Sequence, residues 1–150
     1  MPNPHFTRKS IGAKHPGQSC RTSLRPRFFF SDKFAAQRKD VAKKFMRAWL
    51  RGVRSYNDAI KDGKIAGVGA DEIVATMAKS FNMNPALVRE MYSQAVDVTG
   101  AVNAAGVQKD LDFFLQQGWV TSQIKASDVI DMSFAQKASG ELGPYQRKSP

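Results

Sequence analysis

Where the pattern of apolar and polar positions is regular, its period is helical. The longest such run is Asp40 to Ile60, DVAKKFMRAWLRGVRSYNDAI, in which Val41, Phe45, Trp49, Val53, Tyr56 and Ile60 recur at steps of four and three. That spacing repeats one face of an α-helix. Met46 and Leu50 widen the stripe on one side, while Lys43, Arg47, Arg51 and Arg54 form a separate basic stripe. Asp40 is the expected N-cap, since its charge suits the positive end of the helix dipole. Lys61 and Gly63 suit the far end, where a cation is favoured and a left-handed residue closes the helix. A face this apolar predicts a docking partner, inside the chain or outside it.

Shorter patterns flank this run. Arg27-Phe28-Phe29-Phe30-Ser31 is an apolar stretch bounded by polar residues and predicts a single buried strand. A stacking role for the phenylalanines would need a sheet or groove to display them, so core burial is expected. Ser31-Asp32 predicts the cap of a short helical turn containing Phe34, Ala35 and Ala36. Gly63, Gly67 and Gly69 mark a connection, after which Asp71 is expected to cap a helix with Ile73, Val74, Met77 and Phe81 on one side. Asn84-Pro85 is a strong helix start, with proline at the first helical position, and Leu87, Val88, Met91 and Tyr92 are expected to face inward. Residues 96–101 predict an extended segment or loop. Asn103 is expected to cap a helix whose Val107, Leu111, Phe114 and Leu115 share a face, Gly118 to end it, and Trp119 and Val120 to pack back. Ser127-Asp128 predicts the start of a last helix with Val129, Ile130, Phe134 and Ala138 on one side, closed by Gly140, Gly143 and Pro144. The chain has no fixed-period repeat. The fold class expected is mainly α, with about five helices and one short strand.

Composition changes this picture at one end. The 150 residues carry a net charge of +10. Residues 1–30 contain six bases and no acid, against a net +4 for the other 120. The division expected is therefore a basic leader at 1–26, a helical portion at 27–146 and a tail at 147–150. The leader has Pro, Gly, Ser and Arg without apolar periodicity and reads as disordered. A transit peptide or a basic arm for nucleic acid are alternatives to an unselected leader. The basic stripe at Lys43–Arg54 likewise reads as a solvated face before it reads as a nucleic-acid face. Cys20 stands alone, so neither an intrachain disulfide nor a cysteine-rich zinc site is possible. No apolar run approaches the roughly 20 residues of a membrane span, and no secretory signal is visible. As written, the chain would stay in the cytoplasm.

No catalytic constellation is legible, and an enzyme is not expected. His5 and His15 lie in the leader, away from any candidate base or ligand set. Asp110 and Asp112 are two apart, on different sides of a helix, and are poor partners for acid–base work. Asp128 and Asp131 are better spaced, yet they fall in a first helical turn, where the dipole favours acids. No glycine-rich phosphate loop follows a strand. Met77, Met91 and Met132 sit at helical spacing and read as core. No catalytic, cofactor or metal residue is assigned.

Several segments taken in order carry a family resemblance: SDKFAAQRKDVAKKFMRAWLRGVRSYNDAIKDGK, NPALVREMY, GAVNAAGVQKDLDFFLQQGWV, DVIDMSFAQKA and LGPY. Together they resemble the C-terminal part of an ABC-transporter substrate-binding protein, of the branch for nitrate, sulfonates, taurine and thiamine-precursor pyrimidines. The similarity spans about residues 31–146. It implies descent from a two-lobed α/β fold of the type II periplasmic-binding class, which closes by a hinge on a small solute and delivers it to a permease. In that family the C-terminal helices mainly cover one lobe from outside, and no ligand-contacting position carries over to this chain. The export signal and most of both lobes have no counterpart here, so the resemblance implies a truncated or frameshifted remnant. Such a remnant would be unable to bind solute alone, and would be molten, aggregation-prone or a rearranged small bundle when isolated. Two alternatives come from other classes: a small basic helical protein that binds nucleic acid, and an interaction domain pairing with a separately encoded N-terminal half.

Overall fold

The computed structural model describes residues 28–148. The expected disordered leader, with His5, His15 and Cys20, and the last two residues of the expected tail lie outside that range. Within it the chain is mainly helical. The element order is α1 (Asp32–Gln37), α2 (Lys39–Ala59), β1 (Ile60–Lys61), β2 (Lys64–Ile65), α3 (Ala70–Phe81), α4 (Pro85–Glu90), α5 (Ala104–Gln116), α6 (Ala126–Val129) and α7 (Ser133–Leu142).

Ser31 caps α1 as its sequence suggests, its Oγ accepting a hydrogen bond from Phe34 N at 3.2 Å. The helix then breaks at Arg38, which is the N-cap of α2; Asp40 is one turn-residue inside, where it still faces the positive end of the dipole. The expected strand at Phe28–Phe30 does not form, because no neighbouring strand supplies a ladder. Phe28 and Phe30 instead pack their rings against other aromatic side chains, while Phe29 is exposed rather than buried in the core as expected. Phe30 meets Phe45 at 5.8 Å and Phe134 at 5.8 Å, both edge to face.

The expected stripe holds along the second half of α2 and into the residue after it: Val53 and Ile60 are buried, and Trp49 and Tyr56 pack against the core clusters. At the first half of α2 the buried face is rotated from that stripe. Ala42, Met46, Leu50, Val53 and Asn57 are buried, while Val41 and Phe45 are each about two-fifths exposed. The two residues read as a widening, Met46 and Leu50, are central because both ends of α2 have a partner on that side. Its first half packs on α7, where Met46 and Leu50 meet Ala135 and Ala138. Its second half leads into a cluster of Ala59, Ile65, Ala70, Val74, Ala78 and Val88, drawn from the hairpin, α3 and α4. Alanines at the α7 contacts let the two helix backbones approach.

The end of α2 differs most from the sequence expectation. Lys61 and Gly63 do not continue or cap a helix. They belong to a hairpin whose register pairs Ile60 with Ile65 and Lys61 with Lys64. Asp62 and Gly63 both have positive φ, 50° and 77°. That is the geometry of the two-residue turn that matches strand twist, and Asp-Gly is its characteristic sequence. The returning strand also satisfies the helix end. The amides of Ala66 and Gly67 donate to Ala59 O at 2.9 and 2.7 Å, and Val68 N donates to Asp58 O at 3.0 Å. Only glycine fits at position 67: a Cβ there would lie 2.4 Å from Asp58 O.

Further on, α3 is capped by Gly69 in the left-handed region, with Asp71 and Glu72 in its first turn rather than Asp71 at the cap. Asn84 and Pro85 open α4 as read, with Ala86 N donating to Asn84 Oδ1 at 2.8 Å. The helix stops at Glu90, so only Val88 is buried; Leu87, Met91 and Tyr92, expected inside, are exposed. Asn103 caps α5 through Gly106 N, and Gly118 ends it at φ 72°. The expected continuous last helix is two pieces. Ile130 to Met132 leave helical geometry, and Asp131 Oδ1 accepts from Ser133 N at 2.8 Å to start α7 afresh.

Candidate functional site

The sequence-flagged carboxylates are used to build local structure. Asp112 accepts from Gln108 Nε2 at 2.8 Å. The same Gln108 amide also donates to Ile124 O and accepts from Ala126 N at 2.7 Å, so it fastens α6 onto α5. Asp128 and Asp131 do not share a first turn: Asp128 is in α6 and Asp131 is in the break before α7. Hydrogen bonds from the Ser133 side chain and backbone hold the Asp131 carboxyl below the ordinary carboxylate range. Among the described residues no group of three or more His, Cys, Asp or Glu could hold a metal. Met77 and Met132 pack on the two core clusters as read, but Met91 is exposed.

Three features stand out instead. The first is a polar clasp on α2. Arg54 donates to Leu142 O at 3.2 Å and Gly143 O at 2.8 Å, closing the C-terminal end of α7. Its guanidinium lies 5.8 Å from the centre of the Tyr145 ring. Tyr145 O–H and Lys148 N–H both donate to Asp58 Oδ1, at 2.7 and 3.0 Å. The Tyr145 phenol is pushed up to about 12 by burial first, then by its hydrogen bond to Asp58 and that carboxylate's charge. Asn57 exchanges two hydrogen bonds with the backbone of Val96, at 2.7 and 3.0 Å. Sequence reading missed this clasp because Asn57 and Asp58 interrupt no apolar pattern; their burial is the only signal and is visible only in three dimensions. The basic stripe is partly spent here and on nearby acids, with Arg47 3.7 Å from Glu141 and Lys43 3.9 Å from Asp40.

The second feature is an aromatic cleft of about 440 Å³ between the Phe28–Phe30 segment, α2 and the α6–α7 break. Phe28 stands edge-on to Trp49 at 4.8 Å and to Phe45 at 5.3 Å. Gly100, at φ 74°, brings backbone close to this wall: a Cβ there would be 3.2 Å from Trp49 Cζ3.

No family model, curated protein or solved structure matches the chain.

The third feature is the outer face of α5. Val107 is buried, yet Phe113, Phe114 and Leu115 are exposed to between a third and a half, and Trp119 to 70%. Trp119 does fold back, its ring 5.5 Å from Phe114 and 5.8 Å from Phe113. The three aromatic side chains thus cover one another sideways while their outer surface stays open. Among the described elements α5 packs chiefly on the four-residue α6. No helix among the described residues is long and apolar enough to cross a membrane.

Proposed function

We propose that these helices are the covering part of a solute-binding component of an ABC importer, of the nitrate, sulfonate, taurine and pyrimidine-precursor type. Their role in that reading is to shield a sheet supplied by another segment or chain, and the importer's own solute is not held by them alone. The exposed α5 face carries the proposal. Phe113, Phe114 and Trp119 are in mutual ring contact and exposed, and contiguous apolar surfaces of this kind mark interaction sites. A large apolar side chain gains about 1.5–3 kcal/mol on going from exposed to buried, and a partner sheet would supply the part of that gain still open to these partly exposed residues. The ordered resemblance over residues 31–146 names the family of that partner.

The test is two-part complementation. The chain is co-expressed with the upstream, sheet-bearing portion of a nitrate- or sulfonate-binding receptor. Co-purification, a sharp loss of hydrophobic-dye fluorescence and solute binding by calorimetry only in the mixture are the expected results. Failure to associate, with a dye-silent and cooperative melt of the chain alone, overturns the reading. Filter binding to duplex DNA at two salt concentrations separates the nucleic-acid alternative, which requires affinity to fall steeply with salt.

A further inference from the structure

We propose that the aromatic cleft beside Trp49 is a binding site for a small organic cation, a protonated or quaternary amine on a compact apolar body. Its volume of about 440 Å³ lies within the usual range for small-molecule sites. Phe28, Phe30, Met46, Trp49, Val102 and Phe134 supply apolar and aromatic wall. The rings are fixed against one another: Phe28 is perpendicular to Trp49, and Phe30 to Phe134. Such walls offer ring faces to a cation without having to order them on binding.

Charge decides the ligand class. In a chain of net charge +10, the charged residues lining this cleft among the described residues are Asp32, Asp128 and Asp131, and no described lysine or arginine lines it. Asp131 also borders a neighbouring groove that contains Lys39, Lys43 and Lys137, so its field is shared. Asp32, at the start of α1, and Asp128, in α6, are therefore the carboxylates that set the sign. An anion would meet these carboxylates directly. A neutral apolar ligand would gain nothing from these exposed carboxylates. A cation that puts its charge toward the Asp rim and its body against Trp49 and Phe28 satisfies both halves of the wall. The site is built within this chain, so the proposal does not depend on the importer reading; the co-expression experiment tests one and the titration below the other.

The full chain labelled with 5-fluorotryptophan gives two fluorine NMR signals, from Trp49 and Trp119. Titration with phenethylammonium should shift the Trp49 signal saturably and leave Trp119 in place. Its affinity should exceed that of 2-phenylethanol by about tenfold, or about 1.4 kcal/mol, and phenylacetate should give no shift. The double variant Asp32→Asn, Asp128→Asn should bring the amine down to the level of the alcohol. The Trp119 signal and the circular dichroism should stay unchanged, which reports an intact fold. Equal shifts from all three probes, parallel movement of Trp119, or no shift at all would overturn the proposal.

Discussion

Along α2, seven of 21 residues are buried, and the polar ones among them, Asn57 and Asp58, have named partners. Along α5, of 13 residues, only Gly106 and Val107 are buried, although its apolar side is as legible in the sequence. The two helices differ in what lies opposite. α2 faces α7 over its first half and the hairpin with α3 over its second. α5 faces the single turn of α6. Amphipathicity therefore reports that a face needs cover; it does not report who provides it. In α2 the cover is in the chain, and in α5 the larger side chains stay exposed among the described residues.

That contrast can be broken at its strong end. Leu50 is fully buried where α2 meets α7. Leu50→Ala should cost about 2–5 kcal/mol and remove hydrogen-exchange protection along both α2 and α7. Unchanged protection would mean that this seam is not the stable part of the molecule. Asn57→Ala comes next. It leaves Val96 N–H and C=O without their partner and should cost about 1–3 kcal/mol, with protection lost first at residues 92–103.

A smaller effect is expected from Tyr145→Phe, at about 0.5–1.5 kcal/mol for one hydrogen bond. It has a pH signature. The folded phenol keeps its proton up to about 12, against an ordinary value of 10.0. The folded state thus holds more protons than the unfolded chain in that interval, and stability should fall as pH rises through it. Tyr145→Phe should lack that part of the fall in an alkaline melt series. The smallest effect belongs to α5. Trp119→Ser should change the stability of the chain alone by no more than about 0.5 kcal/mol. It should nevertheless lower hydrophobic-dye binding and weaken any association with a sheet-bearing partner. A loss as large as that of Leu50→Ala would erase the distinction between the two helices.

Local chemistry was the most legible part of the sequence. Ser31, Asn84 with Pro85, Asn103 and Gly118 start or stop helices where their side chains and backbone preferences say they should, because those signals act within four residues. The Asp62-Gly63 hairpin was missed: its turn dipeptide is present, but the long helical period running into it made Lys61 and Gly63 read as a helix end. What failed was facing. Leu87, Met91 and Tyr92 have helical spacing, yet α4 lasts under two turns and presents only Val88 to the core. Val41 and Phe45 belong to a regular stripe whose later members, Val53 and Ile60, are buried, yet these two stay about two-fifths exposed. The aromatic cleft and the clasp were illegible for a related reason. Both join residues from segments far apart in the chain, and no periodicity encodes such meetings.

The clasp has a consequence for synthesis. Arg54 and Asp58 take their partners from residues 142–148, which follow them by 87 to 90 positions. While the ribosome is still making the intervening helices, that end of α2 has charged groups and nothing to hold. The hairpin can close early, since its turn is local, but the spine is locked only when the downstream strap leaves the exit tunnel. Until then a nascent chain would offer chaperones both a greasy surface and an unfastened one.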